Sequence, residues 1–375
     1  MTKDVILAGC GNRRGFRRGF TTNDKVDTSR YYSEYHGHLV KHLKVLLPAL
    51  RESSDSLIWT AGDSSLDNKY WFHDRREAVG AYQDVLDPPT MNADVTYWLN
   101  RQAIDRARAQ RNNSNDKAPL NIATINTAIE ATTVQQRTWG LLAQDSFLRD
   151  NIDAKDTLIV SIGGNDVANA PTPTTICAML SLVKMPIQCF EHSCTLWTPP
   201  CNEHCYGCGP VAWASCCCSS PPCLGYINHL FGTRVKHYIE KLTAKTKPKR
   251  VLVCMIYYLD ETPRLSWAGT ALKALGYDKD PERLQYLIRK MYVEAVSKIE
   301  IPGTRVIPVP LFDVLDGKNS GDYVDRVEPS SQGGRKMAEY LFDAIERDER
   351  NPNSMSFQKT STAAPVESSY MLDRS

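Results

Sequence analysis

The chain lacks any run of about 18 apolar residues, any excess of one charge, and almost any cysteine outside one stretch. Each lack excludes something. Without a long apolar run, no membrane-spanning helix is expected. With Lys+Arg 45 against Asp+Glu 43 the net charge is +2, which gives no general attraction to nucleic acid. The start, MTKDVILAGCGNRRGF, has a short apolar run with arginines after it. A secretory signal puts its basic part first and follows it with a longer apolar core. The expected location is therefore intracellular, in the cytoplasm. Histidine ends early: of the 8 His, none follows His237. Glycine is missing between Gly80 and Gly140.

What is there is a globular composition. The 375 residues are 42% hydrophobic and 23% charged, with 7 Trp and 17 Tyr, enough for a sizeable core. Short apolar runs rich in Val, Ile, Leu and aromatics occur at SLIWTAG (56–62), NIATINTA (121–128), TLIVSIGG (157–164), RVLVCMIYYL (250–259) and TRVIPVPLF (304–312), with VILAG (5–9) as a sixth. They lack clean period-two alternation, as strands buried on both faces do. Helical patterns lie between them. Leu39, Leu43, Leu46 and Leu47 share one face, Leu284, Leu287, Ile288, Met291 and Val296 another, and SSQGGRKMAEYLFDAIERDER is the last. Strand–helix alternation predicts an α/β fold: a three-layer α/β/α sandwich on a parallel, flavodoxin-like sheet of about five strands.

The expected organisation is an N-terminal segment (1–55) packing on the core, a main domain (56–348) with a Cys-rich insertion at 185–224, and a polar, disordered tail (349–375). All cysteines except Cys10 and Cys254 lie between Cys177 and Cys223. In an intracellular chain that usage points to metal or free thiols before disulfides. Cys205 and Cys208 form one CxxC, half of the donor set of a structural zinc. A second pair at regular spacing is missing, so zinc, free thiols and disulfides all stand as readings. The basic repeat RRGFRRGF (13–20) reads as a solvated loop. VILAGCG (5–11) fails the dinucleotide fingerprint. No cofactor is expected.

In a parallel sheet the ligand site lies at the carboxyl ends of the strands. Three loops are then expected on one rim: Asp63-Ser64 after the first strand, Asn165-Asp166 after the third, and DYVDRVEPSSQGG (322–334) after the last. GDSSLDN (62–68), SIGGNDVA (161–168) and VEPSSQGGRKMA (327–338) resemble, in order and spacing, the first, third and last blocks of the SGNH, or GDSL, hydrolase superfamily, across roughly residues 56–346. The resemblance implies Ser64 as nucleophile, the Ser64 N–H and Asn165 as oxyanion donors, and Asp63 and Gly164 as supporting residues, with no metal in the site. A small-molecule, glycan or lipid ester is the implied substrate.

Two blocks depart from that pattern. The second-block glycine has no counterpart, and Glu130 is expected at its position, where a side chain disfavours positive φ. In the last block Glu328 stands where the family has its histidine. The same ending resembles a subgroup that also begins GDS-x-x-Asp-Asn. An ordinary Glu has a pKa near 4.3 against about 6.5 for His, a deficit of about 2 units or roughly 3 kcal/mol. Burial and neighbouring carboxylates make up such a deficit. Glu328, with Asp325 beside it, is therefore a candidate base. The alternatives are a distant histidine, His73 foremost, or a site that binds an ester-like ligand without efficient turnover. Transfer of the acyl group to another hydroxyl is a further reading.

Overall fold

The computed structural model describes residues 25–72, 74–113, 120–168 and 228–351. The expected strand at 5–9, the basic repeat, His73, the Cys-rich insertion with its zinc reading, and the tail beyond Asn351 lie outside the described residues.

Five strands form one parallel sheet: β1 (Ser56–Gly62), β2 (Ile122–Asn126), β3 (Thr157–Ser161), β4 (Arg250–Met255) and β5 (Arg305–Pro310). Their order is β2-β1-β3-β4-β5, the flavodoxin-like order, in which the chain reverses its direction of winding between β1 and β3. The helices used below are α1 (Val40–Ser53), α2 (Val95–Asn113), α3 (Ala143–Asn151), α4 (Gly164–Ala168), α5 (Val235–Leu242), α6 (Trp267–Ala274), α7 (Pro281–Glu294) and α8 (Ser331–Arg350).

The sheet is covered on both faces, and successive residues show it. In β3, Leu158 and Val160 belong to one core, with α1, α3, α5 and α7, while Ile159 belongs to the other, with α2 and α8. The same division runs through β4, where Val251 and Val253 face one layer and Leu252 and Cys254 the other. That double burial is why these strands read as continuous apolar runs. Pro308 and Pro310 are tolerated because β5 is an edge strand and owes no N–H to a sixth. Of the expected leucine face before β1, Leu43 and Leu46 are fully buried, Leu50 joins them, and Leu39 sits at the helix start.

α8 buries Gly334, Met337, Ala338, Leu341, Phe342 and Ile345, the i, i+3, i+4, i+7 rows of one face. Its N-cap is Ser330, whose hydroxyl accepts from the Gly333 N–H. Gly333 has no room for a side chain, since a Cβ there would lie 2.2 Å from the Asp322 carbonyl oxygen. The helix continues to Arg350, past the boundary expected at 348.

One buried ion pair braces the end of the sheet that carries the site. Arg137 Nε donates to Asp145 Oδ2 at 2.9 Å, with both side chains fully buried. Its remaining nitrogens hold the carbonyls of Thr133 and Gly62, and the Tyr238 hydroxyl donates to the other oxygen of Asp145. Removing one member of such a pair leaves a buried charge uncompensated. Arg137→Ala is expected to lose about 3–5 kcal/mol of stability, read as a lower denaturation midpoint in urea. A midpoint within error of the parent would show the brace to be dispensable.

Candidate active site

At the carboxyl end of β1 the chain comes into direct contact with β3. Gly62 has φ of 129°, and a Cβ there would lie 1.8 Å from the Ser161 carbonyl oxygen. The Asp63 N–H donates to that same oxygen. Only glycine fits both the angle and the space. The turn that follows is built on the Asp63 side chain. Its Oδ1 accepts from the Ser65 N–H and hydroxyl, and its Oδ2 accepts from the Gly163 N–H after β3. Asp63 thus joins the two loops, and Ser64 lies between its anchors. The Ser64 N–H is taken by no backbone hydrogen bond among the described residues.

Across the same cavity lie Gly164 and Asn165, at the start of α4. Asn165 is held by a bond from its Nδ2 to the Thr132 carbonyl at 3.1 Å, which leaves the second N–H of that amide available. Asp166 faces the other way. Its carboxylate accepts from the Val134 and Gln135 N–H groups and orders the loop after β2.

That loop corrects one expectation. Positive φ falls on Ala131, at 59°, and not on Glu130. The Glu130 N–H is already committed to Asp67 Oδ2 at 3.0 Å, whereas the Ala131 N–H enters no backbone hydrogen bond among the described residues. Ala131 therefore has the backbone geometry that the missing glycine led us to look for at Glu130.

The last loop brings Glu328 to the serine. A bridge between Tyr323 and Pro329 closes it, and the Val324 N–H donates to the Glu328 carbonyl. Arg326, at positive φ, turns its side chain inward to the Asp260 carbonyl and the Asp278 carboxylate. Glu328 is left buried at the cavity wall. Burial raises its proton affinity well above the ordinary carboxylate range, and the charges of Glu130, Asp63 and Asp325 add to that rise, against a hydrogen bond from the Ser64 hydroxyl. Glu328 Oε2 has no hydrogen-bond partner among the described residues. Asp325 does not line the cavity and acts on Glu328 through its charge. Asp322 is drawn away from the site, bonded to Gln332 and Lys336 of α8.

The residues that hold this arrangement together were not singled out in the sequence. Asn68 donates from Nδ2 to the Pro329 carbonyl at 2.9 Å, pinning the glutamate loop to the serine loop. Asp67, paired with fully buried Lys69 at 2.9 Å, holds the Glu130 N–H and the Asn126 amide. The signal was present in GDSSLDN, whose final Asp-Asn makes these two ties. Glu130 was named for its place in the second block, with no role given to its carboxyl. Its carboxyl accepts from Trp71 Nε1 at 2.7 Å. Burial pushes its pKa up to about 8, helped by the charge of Asp67 and opposed by the Trp71 bond and Lys69. Burial likewise takes Asp63 up to about 6 and Asp94 up to about 7.

Asp63, Ser64, Asn165 and Glu328 border an open-mouthed cavity of about 1080 Å³ of empty space, solvent at the mouth included. Its polar wall consists of Asp63, Ser64, Ser65, Asn165 and Glu328, and the rest is aliphatic or aromatic. Among the described residues, no group of three or more His, Cys, Asp or Glu is placed to hold a metal ion.

No family model matches the chain, and no curated protein matches it. Among solved structures it is similar to Axe2, an acetylxylan esterase from Geobacillus stearothermophilus, at 12% identity over 78% of this chain and 95% of that one, with a TM-score of 0.35. It is similar to Est24, a carbohydrate acetylesterase from Sinorhizobium meliloti, at 13% identity over 78% and 99%, with a TM-score of 0.36. An aryl esterase from M. smegmatis stands at 16% identity over 78% and 99%, with a TM-score of 0.36. At TM-scores this low the likenesses carry no argument about the site, whose chemistry rests on its own residues.

A carboxyl with a raised pKa binds its proton more tightly in the folded chain than in the unfolded one. Its contribution favours folding below the unfolded value and is lost as pH rises through the folded value. For Glu130 that window runs from the ordinary 4.5 to about 8. Glu130→Gln keeps an oxygen for Trp71 and removes the titration. The variant is expected to be more stable than the parent at pH 8.5, by roughly 2–4 °C in Tm for each kcal/mol recovered. The gain should shrink to nothing near pH 4. A Tm difference independent of pH would show that Glu130 does not titrate with folding.

Proposed function

We propose that the protein is an ester hydrolase of the SGNH type, with Ser64 as nucleophile and Glu328 as its base. The observation that carries this is that Ser64, Asn165 and the buried Glu328 line one cavity, in which the Glu328 carboxyl has a raised proton affinity. A serine hydroxyl needs a base of adequate strength within hydrogen-bond reach. An ordinary glutamate is too weak, and burial together with Glu130, Asp63 and Asp325 makes up the difference.

As Ser64 Oγ bonds to the acyl carbon, its proton passes to ionised Glu328 and the carbonyl electron pair moves onto oxygen. The Ser64 N–H and the free N–H of the Asn165 amide receive that oxyanion. Collapse breaks the ester C–O bond, and Glu328 returns the proton to the departing alcohol oxygen. Water then repeats the sequence and frees the acid. The same rise in proton affinity implies a second regime. At pH below the Glu328 pKa the base is protonated, and the site binds ligand without turning it over.

The test is labelling by a serine-directed fluorophosphonate, followed by ester turnover against pH. Ser64→Ala should abolish labelling. Glu328→Gln should lower kcat by about 10²–10⁴, and Asn165→Ala by about 10²–10³. In the parent, kcat/KM should rise with pH well above the range of an ordinary glutamate. Glu130→Gln should move that limb to lower pH, because removing a nearby negative charge eases ionisation of Glu328. Absence of labelling in the parent sinks the serine reading. Full activity in Glu328→Gln sinks the glutamate.

A further inference from the structure

Beyond the reacting groups, the cavity is walled by two helices that turn their apolar faces toward it. From α6 and its C-cap these are Ala268, Ala271, Leu272 and Leu275, at i, i+3, i+4 and i+7. In α7 they are Leu284, Leu287, Ile288 and Met291, at the same spacing. Such faces ordinarily bury themselves against a neighbouring element. Here both are largely buried and also line the cavity, with Met255 and Ile256 at the end of β4 and Phe231 completing the wall. The charged side chains among the described lining residues are Asp63 and Glu328, both at the serine end. Among the described lining residues there is no lysine or arginine to hold a phosphate, and no set of amides and hydroxyls such as a sugar would require.

We propose that this cavity takes the acyl chain of the ester, and that the substrate is a medium- or long-chain fatty-acyl ester rather than an acetyl ester. The inference rests on the reading of Ser64 as nucleophile, which fixes where the ester carbonyl sits. With the carbonyl between Ser64 and Asn165, the acyl chain runs along the α6 and α7 faces. An acetyl group would fill the first few ångströms and leave the remaining apolar wall in water. A chain of methylenes covers that wall and gains apolar burial at every step.

Hydrolysis of a p-nitrophenyl ester series from two to sixteen acyl carbons tests this. Until the cavity is filled, kcat/KM should rise by up to roughly fourfold per methylene, the fold-change corresponding to about 0.8 kcal/mol. Ala271→Trp, which fills the α6 side, should lower the ratio of twelve-carbon to two-carbon rates at least about tenfold. A second arm needs no catalysis. The Ser64→Ala protein is titrated with cis-parinaric acid, a fluorescent fatty acid, and the probe is displaced by dodecanoate. Binding that Ala271→Trp weakens supports the acyl cavity even if the fluorophosphonate fails to label the parent, an outcome that would sink only the serine reading. A flat or acetyl-favouring series from a protein that does label overturns the acyl assignment and leaves the serine standing. Failure to bind parinarate overturns it as well.

Discussion

The site depends on one close contact, the approach of the end of β1 to the end of β3 at Gly62. A side chain there would collide with the Ser161 carbonyl. With none, the two strand ends meet, Asp63 bridges to the Gly163 N–H, and the loops after both strands open into one cavity. The reversal of strand order between β1 and β3 places this contact where a parallel sheet leaves a crevice. Arg137 closes the other side by holding the Gly62 carbonyl, so the turn that carries Ser64 is fixed from two directions.

Around that turn the protein buries more acid than base. Asp63, Asp67, Glu130 and Glu328 are all buried, with Lys69, paired to Asp67, and Arg137, on the Gly62 carbonyl, as buried cations. Desolvation disfavours each charge, and each charge disfavours the others. Asp63, Glu130 and Glu328 therefore keep their protons to higher pH than aspartate or glutamate normally would. In stability terms this is unfavourable at alkaline pH. On the proposed reading it also raises Glu328 toward the basicity that a histidine would have in that loop. The two consequences have one cause, and Glu130 takes part in both.

The five core strands were legible because each is an unbroken apolar run, which is what burial on both faces demands. Their ends were less so. The runs at 157–164 and 250–259 outlast the strands, which stop at Ser161 and Met255, because the apolar residues beyond them line the cavity or the core instead. α2 carries many arginines and little apolar contrast, and gave no periodic signal. Ser64, Asn165 and Glu328 were legible as loop residues following strands. The ties made by Asp67 and Asn68, and the burial of the Glu130 carboxyl, were not, since they join segments far apart in the chain.

The sequence by itself determined the alternation of strands and helices, the order of the three loops, and the absence of histidine from the last. Those follow from local pattern and residue identity. Only the tertiary structure decided that Ala131 and not Glu130 takes the left-handed backbone. It alone set Glu130, Asp63 and Asp325 close enough to raise the Glu328 proton affinity, and opened an apolar cavity between α6 and α7. These depend on through-space distance and on exclusion of water, neither of which is carried by the spacing of residues along the chain.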